Sequence, residues 1–463
     1  MEEIDWYKKR NDRTNRIDGV ALNSSEAQIG VIIEEGLHYT NQLMAKITLN
    51  IMARWCGNIS IQVDDSICTL YGKEGMKLKD LLAVTVNETD PYCNLRFEKV
   101  DVDKFDLILV VGKPVKELEK DYYWIDADGW ISSFGFGEFC GVKGGKKSKI
   151  VDLIGAAYSS TAINSLMFED FLGLRKREVF ERYISLYDFS QHNQPEELAN
   201  PSIGISCLDM GKCLQVGAGA VGSSFDYLIS LIPLQGNLTI VDYDYVDISN
   251  TSSSLAFTAT DAHNQIKKIV RCKEILKETD FFKVDPHEGD YNSYQKSAEE
   301  QDFPDLILCL ANERNIWSSI QYNDPPIVLS ATTSPNWGIN FGRHIPFTER
   351  CLVCTFGIEE YQTTPVCSEI VVVEDSGEEE KLGSLPFLST MSAVFVIAEI
   401  FKLNLAPKYP VTSNFIQLSM KDLPNSKVLD LQVPKGKGCK VCSSQNRDTY
   451  YSGYMESKFF QNT

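Results

Sequence analysis

Short apolar runs alternate with longer amphipathic stretches along this chain, the pattern of an α/β fold. Residues 30–34 and the alternating 58–63 predict strands, and 41–55 a helix with Leu43, Ile47, Ile51 and Met52 on one side. Residues 107–111, between Asp106 and Gly112, predict a buried strand. The apolar run 150–154 leads through Gly155-Ala156-Ala157 into a helix ending near residue 172. The alternation begins again at Lys212, with a strand at 213–216, a glycine-rich turn, a helix through Ile232 and a strand at 238–241 closing on Asp242. A helix over 261–277 follows, then strands at 306–310, 327–329 and near Ile345. The chain closes with a helix over 391–403 and strands at 415–420 and 427–433. Residues 1–29 are polar and read as partly extended, and the proline-bearing stretch 191–211 reads as a linker. The division is therefore an α/β domain over 1–190, a second over 212–442 and a tail over 443–463. The likeness of the two halves is the one internal repeat this pattern supports.

Composition narrows the class. A chain of 463 residues has length for about two to four cores. Its net charge of −19 disfavours nucleic acid and anionic membranes as partners, since both need a positive face. The polar start MEEIDWYKKRND does not read as a secretory signal, and no long uncharged apolar run predicts a membrane span. The apolar stretch 391–401 contains Glu399 and reads as a packed core helix. The 13 cysteines then belong to a reducing, cytoplasmic setting. Cys56, Cys68, Cys207, Cys213, Cys272 and Cys309 sit in or beside apolar runs and read as buried hydrophobes.

Three features carry chemistry. Gly217, Gly219 and Gly222 form GxGxxG between a strand and a helix, with Asp242 at the end of the next strand. Glycines let backbone approach phosphate, the helix N-terminus attracts anions, and the acidic residue can bind a ribose hydroxyl. By itself this motif also fits a dinucleotide dehydrogenase. Cys351 and Cys354 form one CxxC pair and Cys439 and Cys442 another, a four-thiolate set for a closed structural zinc site. Cys367 stands apart in Thr364-Pro365-Val366-Cys367-Ser368, a context of small polar residues that fits an exposed nucleophile as well as an inert thiol.

Taken together, these motifs resemble the adenylating enzymes of ubiquitin-like proteins, the superfamily that includes the sulfur-carrier activators ThiF and MoeB. Val241-Asp242-Tyr243-Asp244, Ser249-Asn250 and the lysine of the following helix match its motifs over roughly 212–442. Lys268 fits that lysine best, with Lys267 the alternative. The resemblance implies two Rossmann-like adenylation-type units, the first degenerate, with an inserted catalytic-cysteine segment at about 355–390. It implies ATP and magnesium at Gly217, Gly219, Gly222, Asp242, Asp244, Asn250 and Lys268, zinc at the four CxxC cysteines, and Cys367 as the thioester-forming residue. It further implies a ubiquitin-like protein and a conjugating enzyme as partners, with a homodimer open. Two halves in one chain look most like activators of bacterial ubiquitin-like operons linked to antiviral defence.

Two positions depart from the pattern. The family's arginine falls on Ser253, and its magnesium-associated aspartate on Ala311. Glu313 and Arg314 are near enough to substitute. The departures keep two alternatives open, a catalytically impaired scaffold that binds a ubiquitin-like protein and a sulfur-carrier adenylyltransferase.

Overall fold

Among the described residues the apolar runs pair into two mixed sheets of eight strands each. The structure, a computed structural model, describes residues 2–17, 19–20, 22, 27–114, 116, 118–142, 150–298, 303–356, 383–405, 413–436, 438–444 and 455–461. Cys367, the acidic stretch 374–381 and residues 357–382 of the expected crossover lie outside the described residues.

The first sheet contains β1 (Gln28–Ile33), β2 (Asn58–Val63), β3 (Asn94–Phe97), β4 (Leu107–Val111), β5 (Tyr123–Asp128), β6 (Ile131–Phe136), β7 (Phe180–Ser185) and β8 (Gln191–His192). Their order is β3-β2-β1-β4-β5-β6-β7-β8. The second contains β9 (Leu208–Val216), β10 (Leu234–Asp242), β11 (Phe282–Glu288), β12 (Leu306–Cys309), β13 (Ile327–Thr333), β14 (Gly338–His344), β15 (Phe415–Ser419) and β16 (Leu429–Leu431). Its order, β11-β10-β9-β12-β13-β14-β15-β16, is that of the first sheet with eight added to every strand. Strand directions repeat as well. Pairing is parallel up to β5 and β13, and antiparallel beyond them.

The helices are α1 (Glu3–Arg10), α2 (Tyr39–Met52), α3 (Leu78–Thr89), α4 (Asp152–Phe171), α5 (Ala220–Ile229), α6 (Ala259–His263), α7 (Lys268–Leu276), α8 (Tyr291–Ser297), α9 (Arg314–Tyr322), α10 (Leu352–Phe356), α11 (Pro386–Leu403) and α12 (Lys440–Ser444). A short helix, Lys458–Gln461, follows near the end of the chain. Helix α4 packs on α2 and α11, and α11 packs on α5, so a run of helices joins the two sheets into one core. Every residue of α11 is buried, as is most of α4. Although α11 has the length and apolarity of a membrane span, all of it lies inside the protein, where Glu399 bonds to Arg343 and Lys402. The serine and threonine hydroxyls of α4 all find carbonyls: Ser159 bonds Gly155 O at 3.0 Å and Thr161 Ala157 O at 2.6 Å within the helix, while Ser160 reaches Met44 O of α2 at 3.2 Å and Ser165 Met420 O at 3.0 Å. That satisfies them inside a core with no water to do so.

Several expectations shift. The N-terminus is helical rather than extended: α1 buries Trp6, Tyr7 and Arg10, and Arg10 meets the buried Asp90 at 2.7 Å. The run at 150–154 enters helix α4 at Asp152. The helix expected over 261–277 is broken at Gln265, whose φ is +48°, into α6 and α7. Within the stretch 191–211, residues 191–192 pair as β8 and 208–211 already belong to β9. Cys207 is half-buried rather than buried, with its thiol 3.2 Å from Gln235 Oε1.

Candidate active site

A cavity of about 520 Å³ opens where β9, β10 and β12 end and α5 begins. The glycines differ in what they do there. Gly217 has φ +100°, and a Cβ on it would lie 2.8 Å from Ala311 N, so a side chain is barred by conformation and by space. At Gly222 a Cβ would meet Gly217 O at 2.1 Å, so the helix can sit on the turn only if that side chain is absent. Around Gly219, the N-cap of α5, nothing lies within 4 Å of such a Cβ. That open space belongs to the cavity, at the helix end that favours anions.

Asp242 ends β10. Its Oδ2 accepts from Ala218 N–H at 2.7 Å and its Oδ1 from Asp244 N–H at 2.8 Å. Burial pushes its carboxyl up, while Lys268 draws it back. The Lys268 ammonium bonds Asp244 Oδ2 at 2.6 Å. Burial opposes its charge, but Asp242 and Asp244 outweigh burial and hold the ammonium above its usual value. The break after α6 places Lys268 first in α7, facing the cavity. Lys267, the N-cap, pairs instead with the half-exposed Glu288 and is not among the cavity's lining residues. Asn250 lines the cavity from the short helical turn 248–252, where its Oδ1 accepts from Asp247 N–H at 2.9 Å. Its amide NH2 is then the end available to a phosphate oxygen.

The two departures from the family pattern lie differently. Ala311 lines the cavity. Ser253 does not. It is fully buried, its carbonyl accepts from Ser389 Oγ at 2.5 Å, and its hydroxyl has no hydrogen-bond partner among the described residues. Glu313, the N-cap of α9, does line the cavity, and its Oε2 is buried without a hydrogen-bond partner among the described residues. Burial pushes the Glu313 carboxyl up, and Asp242 and Asp244 add to that. The side chain of Arg314 lies outside what the structure describes.

Sequence reasoning missed three charged lining residues, Arg13, Glu288 and Asp290. Arg13, in the first half, reaches the cavity and acts on Lys268 as a like charge. Its carbonyl accepts from Ser384 N–H at 3.2 Å, on the segment leading into α11. The spacing of Trp6, Tyr7 and Arg10, one face of a helix, was the signal that this segment is folded and positioned.

The two CxxC pairs come together. Cys351 Sγ lies 3.8 Å from Cys439 Sγ, Cys354 Sγ lies 3.6 Å from Cys442 Sγ, and all four sulfurs fall within 4.8 Å of one another. Sulfurs about 2.3 Å from a tetrahedral zinc sit roughly 3.8 Å apart, so the set fits that ion with no open position. The cluster is tied to the cavity wall. Helix α10 begins beside Cys351, and its Phe356 stacks on Trp317 of α9 with ring centroids 4.2 Å apart. Trp317 Nε1 in turn donates to Ala311 O at 2.9 Å.

No family model matches the chain, and no curated protein matches it. Solved structures do. E. coli MccB with ATP is 16% identical over 51% of this chain and 67% of that one, with a TM-score of 0.38. E. coli MccB alone is 15% identical over 69% of this chain and 95% of that one, at 0.39. The microcin C7 biosynthetic enzyme MccB in complex with N-formylated MccA is 14% identical over 50% and 67%, at 0.37. Overlays this loose carry no function across.

Proposed function

We propose that this chain uses ATP to adenylate the C-terminal carboxylate of a ubiquitin-like protein, then takes it as a thioester on Cys367 for a conjugating enzyme, in bacterial antiviral defence. The observation that carries the reading is one cavity lined together by the glycine loop, Asp242, Asp244, Asn250 and Lys268. The N-terminus of α5 faces the phosphates, and Asp242 offers acceptor lone pairs to the ribose. Lys268 exchanges Asp244 for a phosphate oxygen, and Arg13 adds a second cation as charge moves onto the leaving pyrophosphate.

Arg13 and Lys268 face Asp242, Asp244, Glu288, Asp290 and Glu313 around the cavity, so a triphosphate meets an acidic excess. A magnesium ion bound with the nucleotide would supply the missing positive charge. Asp244 and Glu313, whose Oε2 has no hydrogen-bond partner among the described residues, are the carboxylates that would hold it. The incoming carboxylate oxygen attacks the α-phosphorus, the bond to the pyrophosphate oxygen breaks, and an acyl-adenylate forms. The Cys367 thiolate then attacks the acyl carbon and AMP leaves with the bonding pair.

Two readouts test this. Wild type with ATP and the cognate ubiquitin-like protein should give a thiol-sensitive conjugate and support pyrophosphate exchange. Cys367→Ala should lose the conjugate and keep the exchange. Exchange absent from wild type sinks the adenylation step. That result favours the second reading, a ubiquitin-like-protein-binding scaffold, for which Ala311 in the cavity wall is the motivating observation.

A further inference from the structure

The peptide joining Gly217 to Ala218 is gripped from both sides. Its N–H donates to Asp242 Oδ2 at 2.7 Å. Its C=O accepts from Gln215 Nε2 at 3.2 Å, and the same amide donates to Asp226 Oδ2 at 3.1 Å. Gln215 on β9 and Asp226 on α5 are both 0% exposed. The Cys272 thiol of α7 completes the group against Asp226, whose carboxyl burial pushes up to about 7.

The arrangement is costly. Gln215 Oε1 and Asp226 Oδ1 are buried with no hydrogen-bond partner among the described residues. Two leucines would fill similar space and remove both unpaired side-chain oxygens, leaving only the Gly217 carbonyl without its donor, which is close to neutral for stability. Leucines cannot supply a donor to the Gly217 carbonyl. That carbonyl is turned into the base of α5, where the missing side chain of Gly222 leaves room for it.

We propose that Gln215 and Asp226 are positioning residues for the phosphate loop. Asp226 holds the Gln215 amide, and Gln215 holds the Gly217 carbonyl inward, so the N–H groups that follow face the cavity. Neither residue touches the nucleotide. The proposal rests on the cavity being a nucleotide site, and its test separates the two.

The full-length chain carries Gln215→Leu, Asp226→Asn, or Gln215→Leu with Asp226→Leu. Each is followed by thermal unfolding, by amide exchange across 214–224 without nucleotide, and by calorimetric MgATP binding. Gln215→Leu strands Asp226 and lowers both stability and affinity. The double leucine variant removes the stranded side-chain oxygens and leaves only the Gly217 carbonyl without its donor, so its melting temperature recovers to near wild type. Its exchange at 217–222 stays about tenfold faster and its ATP affinity about tenfold weaker. Asp226→Asn keeps an acceptor for Gln215 and matches wild type in both. A double variant with wild-type exchange and affinity overturns the proposal and makes the pair plain core filling. Should the double variant not fold, Gln215→Met, which also lacks the donor, is read by the same measurements. If wild type gives no heat with MgATP, the exchange result alone decides the positioning role, and the nucleotide reading falls separately.

Discussion

Arg54 sits 1% exposed in the first half, yet most of its hydrogen bonds go to the second. Its guanidinium donates to Thr251 O at 2.5 Å, Leu255 O at 2.8 Å and Phe257 O at 3.3 Å, and to Asn50 Oδ1 at 2.9 and 3.0 Å. Burial pulls the group down to about 9, so it stays charged at neutral pH. Thr251 follows Asn250 of the cavity, and Arg54 holds that segment from behind. Arg54→Leu takes the Arg54 donor from Thr251 O and Phe257 O, each costing about 1–3 kcal/mol, while Leu255 O keeps Asn50 Nδ2 at 3.3 Å. Removing a cation that burial disfavours offsets part of this, for a net loss of roughly 2–4 kcal/mol. Urea unfolding should read that loss, and calorimetric MgATP titration at a temperature where the variant is folded should show affinity several-fold weaker. Arg54→Lys has one ammonium for three widely spread acceptors and should recover only part of either. Stability unchanged within about 0.5 kcal/mol refutes the energetic reasoning. Stability lost with affinity intact refutes the link to Asn250.

Lys268→Ala should weaken MgATP binding about tenfold or more, with Lys267→Ala within about twofold, both by calorimetry; the reverse order would put the wrong lysine in the cavity. Metal analysis should find about one zinc per chain, and Cys439→Ser should lose it and lower the unfolding midpoint along with ATP affinity, through α10 and α9. Asp126 of β5 is buried, and its carboxyl is raised from 3.8 to about 8, chiefly by burial. The folded protein keeps that proton where the unfolded chain releases it, so its stabilising effect is full below pH 3.8 and fades up to about pH 8. Asp126→Asn should therefore stabilise by about 1–3 kcal/mol at pH 8.5 and by little at pH 4 in urea unfolding; a gain that grows as pH falls would refute the sign.

What the sequence made legible was local. The runs 58–63 and 107–111 are strands to the residue, the first legible from its alternation and the second because a parallel strand buried on both faces reads as unbroken apolar text with polar or glycine punctuation. The hairpin of β5 and β6 went unread, although Asp128-Gly129 marks its turn. The phosphate loop, Asp242, Asn250 and Lys268 are legible because they follow one another along a strand-turn-helix-strand path. Arg13 is not, since it reaches the cavity from some 200 residues upstream through α1 and the packing of the halves. Glu313 is intermediate: its proximity to Ala311 was visible, but that its carboxylate lines the cavity depends on the N-cap geometry of α9.

The helical layer α2–α4–α11–α5 has a consequence for how such a protein could be encoded. Its contacts hold the sheets together independently of chain continuity through the irregular stretch 201–207, so a gene cut there would specify two polypeptides that remain one particle. Each product made in excess would present α4 or α11 to water and be cleared. Their synthesis would then have to be matched, and loss of either gene would remove both products from the cell.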